Sequence, residues 1–481
     1  MTFRIGIIVS AFCLFATSVH AQPKAPEPAP KVATSEFAQR RAALAASLPD
    51  GLILAIGAHE PELDYMAFYQ SPNFYYLTGV REPDAALLGV KQGASVTWTL
   101  FVQPREASRE VWTGRRTGPS ASEARWGVPG RSMRELEQAL DTLLARNSTL
   151  SVVADMGTPG KQTVDDQWLA TLREKRPSLV VKNVESAVLK LRAYKTPAEL
   201  ALIKRATDIT VQAHREAARA VAADAFEYEV QAEIERTFRK NGAERPSFAS
   251  IVGSGPNATT LHYSANDRQM KAGEMVVIDI GASYDGYAAD MTRSYPVTGT
   301  FSAEQRAIYQ IVRDAQVAGE RQARAGRPAR QMSDSASAVL AAGLAKLGLI
   351  ESPDATYDCS ADGKTTCRQL SLFYMHGLGH GIGLEVHDPD RYNFDGRTLE
   401  PGSVFTIEPG IYVRENLLEI LPATPRNAAL IEKLRSAVTK YRNIGVRIED
   451  DYIVTSNGLE WITKGPREIA EIEAAMKKTR M

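Results

Sequence analysis

Cysteine is scarce: the chain of 481 residues holds three. Two of them, Cys359 and Cys367, stand in the polar stretch "DCSADGKTTC", where no histidine or further cysteine follows until His376, so their spacing alone makes no metal site. Charge of one sign is also lacking, because 57 Lys and Arg balance 57 Asp and Glu. Without a long basic run the chain carries no electrostatic footprint for nucleic acid, and that class of partner is set aside. Long hydrophobic runs are missing too, apart from "IGIIVSAFCLFATSV" after Arg4, so no other segment is apolar enough to cross a bilayer.

That one apolar run is short and ends in "VHA" at Ala21, with small residues where a signal peptidase cuts. It predicts a secretory signal peptide over residues 1–21, with no membrane attachment after cleavage and a periplasmic address. Large Phe12 before Cys13 argues against a lipoprotein cleavage site. In an exported protein the two remaining cysteines suggest a local disulfide. Residues 22–35, "QPKAPEPAPKVATS", read as a mobile Pro/Ala-rich leader.

Short apolar runs ("GLILAIG", "AALLGV", "VTWTLFV", "LSVVADMG") then alternate with helical stretches such as "RELEQALDTLLARN". This predicts an α/β domain over 36–185. Thr196, Pro197 and Glu199 have the pattern of an N-cap, a first-turn proline and a capping-box acid, so a long helix is expected to start there. From 186 to 481 helices and antiparallel-type strand runs segregate, which predicts an α+β domain. His214, on the first long helix, reads as a packing or surface residue.

The chemistry gathers in that second part. In "VVIDIGASYDGYAAD", Asp279 interrupts an apolar strand and Asp290 follows a turn. An ionised carboxylate left alone in a core costs several kcal/mol, so such acids are paired, protonated or bound to metal. Pairing with an arginine such as Arg293 would suffice for two acids, but Glu408 in "VFTIEPGIY" and Glu449 in "GVRIEDDYIV" repeat the pattern. Arg447 and Glu449, two apart, would face the same side of a strand. The segment "HGLGHGIGLEVHD" adds His376, His380 and His387, and its glycines predict backbone packed closely around a site. With His262, these are four of the seven histidines in the chain. Four carboxylates and an imidazole repel or exclude one another unless cations neutralise them. Two divalent ions sharing bridging carboxylates and an acidified water would do so, and an oxygen-rich set with one nitrogen suits Mn, Co or Fe.

These motifs resemble the pita-bread metallopeptidases, and the chain as a whole resembles aminopeptidase P. The family's ligand series is two aspartates, a histidine and two glutamates, which falls here on Asp279, Asp290, His380, Glu408 and Glu449. By that likeness Asp290 and Glu449 bridge two ions, probed first as Mn(II) with Co, Fe or Zn as alternatives. The resemblance also implies substrate-handling roles for His262, His376, His387 and Arg447, and a proline-side pocket lined by Tyr392 and Tyr412. Upstream, "FYQSPNFYYLTGVREPDAALLG" and "EVWTGRRTG" resemble the family's N-terminal domain, whose tryptophan, here Trp112, reaches a neighbouring subunit's site. A homo-oligomer, dimer or tetramer, follows from that. The implied activity is hydrolysis of peptides with proline in second position, Glu408 passing a proton and His262 or His387 stabilising the oxyanion. An Xaa-Pro dipeptidase and a metal-free binding protein of the same fold are the rival readings. Two stretches are longer than in the simplest relatives: the cysteine loop, and 414–443, whose helix-like run is expected to border the substrate entrance.

Overall fold

The computed structural model describes residues 29–63, 66–156, 161–390 and 397–477. The signal stretch and most of the leader lie outside the described residues, as does Tyr392. A helix, Thr34–Ala46, begins two residues inside the stretch read as leader.

The first half is a six-stranded sheet. Its strands are β1 (Gly51–Ile56), β2 (Ala86–Gln92), β3 (Ser95–Val102), β4 (Gly130–Ser132), β5 (Thr149–Val153) and β6 (Val180–Asn183), in the order β4-β3-β2-β1-β5-β6. β1 runs parallel to β5 and antiparallel to β2. The run "GLILAI" is apolar at nearly every position because helices cover both faces. Leu52, Leu54 and Ile56 pack with Leu140 and Leu169 on one side, while Ile53 and Ala55 join Leu44 and Leu77 on the other. The predicted α/β alternation is present.

The expected cap stands at the join. Thr196 Oγ1 accepts from the Glu199 N–H at 3.3 Å, Glu199 Oε2 accepts from the Thr196 N–H at 2.9 Å, and the helix Pro197–Ala220 follows. Thr196 Oγ1 also donates to Glu36 Oε1 at 2.6 Å, tying this helix to Thr34–Ala46. Thr196→Ala is therefore expected to lower stability by about 1–2 kcal/mol, read as a shift of the urea midpoint with unchanged slope.

The second half is α+β. It holds β7 (Arg245–Pro246), β8 (Ile251–Ser254), β9 (Met275–Ile280), β10 (Ala282–Tyr284), β11 (Tyr287–Ala288), β12 (Met291–Pro296), β13 (Thr356–Asp358) and β14 (Thr366–Arg368). Then come β15 (Val404–Ile407), β16 (Gly410–Tyr412), β17 (Gly445–Arg447), β18 (Asp450–Thr455) and β19 (Gly458–Trp461). Small antiparallel sheets, β12-β9-β8, β15-β18-β19 and β16-β17, are linked through a bridge between Thr292 and Glu449. Helices Pro197–Ala220 and Ala303–Gln322 pack on them through Ile209, Ala213, Ile308 and Val312 against Val276, Ile278 and Ile280.

The halves share one apolar cluster, in which Leu44, Tyr75 and Leu77 meet Tyr287, Ile382 and Leu384. Arg192, 1% exposed, joins them polarly, donating to Asn73 Oδ1 at 2.7 Å and pairing with Glu385 at 2.7 Å and with Asp388. Lys195 pairs with the same Asp388 at 3.0 Å. The inter-domain joint thus fixes the loop that carries His387.

Cys359 and Cys367 form the expected disulfide, closing the β13–β14 hairpin. The helix-like run in 414–443 is the helix Pro425–Tyr441. It packs on that hairpin, where Asn427 Nδ2 donates to Asp358 O at 2.9 Å and Thr424 Oγ1 to Asp358 Oδ2 at 2.7 Å. The two extra stretches thus form one unit. No residue of either stretch lines the cavity described next.

Candidate metal centre

Asp279 and Asp290 meet because β9 and β12 pair antiparallel, with Met291 opposite Ile280 and Thr292 opposite Asp279. The intervening chain folds out as a hairpin turned at Asp285 and Gly286, both with positive φ. Glu408 stands where Pro409 separates β15 from β16, and Glu449 in the step between β17 and β18. His380 is held by Thr406, whose N–H donates to His380 O at 2.9 Å. The glycines around it explain this close approach. A Cβ on Gly379 would lie 2.0 Å from Thr406 O, and one on Gly381 would lie 2.3 Å from Asp388 O. Gly377 departs from the expectation, since a Cβ there meets nothing within 4 Å.

These groups converge on one cavity of about 570 Å³ lined by all five predicted ligands and by His262, His376, His387 and Arg447. His380 Nε2 lies 3.6 Å from Asp290 Oδ2, 3.6 Å from Glu408 Oε1 and 3.9 Å from Glu449 Oε1. Donor atoms of Asp290, His380 and Glu449 all fall within 4.8 Å of one another. The His380 Nδ1–H donates to Gly381 O at 3.1 Å, which fixes the tautomer and leaves the Nε2 lone pair facing the acids.

Electrostatics make the cluster costly without cations. Burial, then Glu449 and Asp279, pushes Asp290 well above the carboxylate range, and burial with Glu408 does the same to Glu449. Burial raises Glu408 to about 8, while burial and His387 lower His380 to about 4. Asp279 Oδ1, Asp290 Oδ1 and Glu449 Oε1 are buried with no hydrogen-bond partner among the described residues. Orphaned carboxylate oxygens beside an unprotonated imidazole are the donor set a divalent ion requires.

The pairing of Asp279 or Asp290 with Arg293 does not occur. Arg293 and Asp450, both fully buried, pair with each other at 2.7 Å. Asp279 Oδ2 instead accepts from Arg447. Arg447 and Glu449 do share a side, for Thr292 Oγ1 donates to Glu449 Oε2 at 2.7 Å and accepts from Arg447 Nε at 3.1 Å. Sequence reading missed Thr292; its signal was its place two residues after Asp290, on the same side of a strand. Thr292→Val keeps the shape but strips both bonds, and metal affinity is expected to fall by about 10–100-fold in a calorimetric titration.

Tyr412 is 1% exposed and does not line the cavity. Its hydroxyl accepts from Arg447 Nη1 at 3.0 Å and donates to His376 Nε2 at 2.8 Å, while the His376 Nδ1–H donates to Gly377 O at 2.8 Å. It supports the wall from behind. Trp112, on helix Ala107–Thr113, is 87% exposed and lines a different cavity with Glu60 and Arg116, so this chain does not bring it to its own acids. His214 packs as expected, 1% exposed, its Nε2 2.8 Å from Met291 O.

Residues 201–456 match the model of Metallopeptidase family M24, and residues 37–153 match Aminopeptidase P, N-terminal domain. The Xaa-Pro aminopeptidase of Escherichia coli (strain K12) is 33% identical over 93% of this chain and 99% of its own. The Xaa-Pro dipeptidase of Homo sapiens is 30% identical over 85% of this chain and 84% of its own. Among solved structures, zinc-substituted E. coli aminopeptidase P in complex with product has a TM-score of 0.79 at 32% identity, covering 94% of this chain and 100% of that one. An α/β N-terminal domain followed by a pita-bread catalytic domain is the fold shared with these proteins.

Proposed function

The chain belongs to metallopeptidase family M24 and is a metallo-aminopeptidase, and from that premise we propose that it is an exported dinuclear Xaa-Pro aminopeptidase. The observation that carries this is the convergence of Asp279, Asp290, His380, Glu408 and Glu449 in one cavity, where Asp279, Asp290 and Glu449 each keep a buried oxygen without a partner. Asp279, Asp290, His380, Glu408 and Glu449 would hold the ions, Mn(II) being the first to test. When bound, divalent cations polarise the scissile carbonyl and acidify water.

The chain's own groups do the rest. His262 and His387, exposed on the cavity wall, donate hydrogen bonds to the oxygen that gains charge. Glu408 takes a proton from the water that adds to the scissile carbonyl carbon and delivers it to the proline nitrogen as the C–N bond breaks. Selection for proline follows from the wall. Phe248, Ile251, Leu261 and Val386 are apolar, and the Arg447–Tyr412–His376 chain is already satisfied internally. With the ligand carboxylates engaged by metal, a residue after the scissile bond that brought its own N–H would find few free acceptors there, and proline has none to satisfy.

Two observations support the remaining parts of the reading. Exposed Trp112 and Val111 on the N-terminal domain fit burial against a second subunit, and the apolar run ending at Ala21 fits export to the periplasm. The Xaa-Pro dipeptidase reading stays in view because of the 30% identity to that human enzyme. Hydrolysis of Xaa-Pro-Yaa and the matching Xaa-Pro by the mature protein, stripped and reloaded with Mn(II), decides between them. Metal-dependent cleavage of the tripeptide is expected; cleavage of the dipeptide alone makes it a dipeptidase, and no cleavage of either refutes both.

A further inference from the structure

A second cavity, about 250 Å³, opens where the domains meet, between Phe68, Tyr69 and Tyr75 on one side and Arg245 and Leu384 on the other. Its charges are unevenly matched. Arg81 takes both nearby acids, Glu244 and, at 2.9 Å, Asp285. Arg245 takes none: among the described residues it has no ion pair and no side-chain hydrogen bond, and its buried Nε has no partner. Its guanidinium lies 4.4 Å from the centroid of the Tyr69 ring, which fixes its plane without satisfying its N–H groups. The buried Nε is costly to leave unpaired, and the half-buried guanidinium lines the cavity with no acid of its own, so a carboxylate entering there has a cation to pair with.

Position says which acceptor. Arg245 stands three residues before Phe248 and Leu384 two before Val386, and the later residue of each pair lines the metal cavity. Extended chain spans at most about 3.3–3.6 Å per residue, so the two cavities lie within roughly 10 Å along either wall. That separation is within the span of a four-residue peptide. We infer that Arg245 and the Tyr69 ring form a subsite for a carboxylate of the peptide substrate, its free C-terminus or an acidic side chain. This rests on the peptidase reading given above. Planar guanidinium binds carboxylate through two parallel N–H···O bonds, which an amide cannot reproduce.

The test uses the metal-loaded full chain and Xaa-Pro-Yaa peptides of three to five residues, each as free acid and C-terminal amide. Amides with Asp or Asn at each position in turn form a second arm. In one arm the acidic member is expected to have a KM roughly tenfold lower than its neutral partner. Arg245→Gln should bring the two to equality, and Arg245→Lys should keep part of the difference. A preference in the acid/amide arm assigns the C-terminus, and one in the Asp/Asn arm assigns a side chain. Equal KM values throughout in the parent chain, or a preference that survives Arg245→Gln, overturns the subsite. If nothing is hydrolysed, the peptidase reading fails separately, and the dissociation constants of the same pairs decide the subsite by the same equality.

Discussion

Asp290→Ala and Glu449→Ala are each expected to lower kcat/KM by about a thousandfold or more, since each removes an anionic oxygen donor from the set that would hold metal. Their neighbours show why. Both acids approach His380 Nε2 within 4 Å, and each keeps one oxygen unpartnered and buried. Losing either leaves the remaining set short of an anionic oxygen and lowers the number of ions held. The fold should survive: in the metal-free protein either substitution removes one of several like charges that raise one another's protonation. Metal content by elemental analysis, turnover in metal-defined buffer and a thermal melt separate these effects. Retention of a tenth of the parent turnover by either variant would sink the assignment.

What the sequence revealed was the pattern of interruptions: acids inside apolar strands, and glycines around histidines. Those positions are visible because their local cost has no local repayment. The supporting layer was invisible for the opposite reason. Thr292, Asp450 and Asp451 stand in polar or mixed contexts where a hydroxyl or an acid is unremarkable, and their partners come from remote segments. Asp451 Oδ2 accepts from the Asp290 N–H at 3.1 Å across 161 positions, and Arg293 finds Asp450 across 157. Tyr412 shows a further limit. Its place beside the site follows from β16, but whether its ring enters the cavity depends on Arg447 and His376, which capture its hydroxyl. Trp112 marks the limit set by the single chain, because an exposed side chain shows no partner within it.

The largest effect on stability should come from metal and pH acting together. Glu408 is raised from 4.5 to about 8, and Asp290 and Glu449 well above their ordinary values, chiefly by burial. An acid with a raised folded-state pKa contributes fully while pH is below its unfolded value. That contribution is lost as pH climbs toward the folded value, because the unfolded chain releases its proton first. Metal-free protein should therefore lose stability between about pH 4.5 and pH 8, the coupled acids Glu408, Asp290 and Glu449 sharing the loss. Bound metal reverses the sign, since it needs these ligands deprotonated and competes better for them as protons become scarce. The gap in melting temperature between Mn(II)-loaded and stripped protein should then be small near pH 5 and widen to roughly 10 °C or more at pH 8. A gap that narrows across that interval would mean the acids are not the groups that hold the ions. Asp290→Asn supplies the internal control: its stripped form should show a shallower loss with pH than the parent, because one of the coupled protons is no longer there to be released.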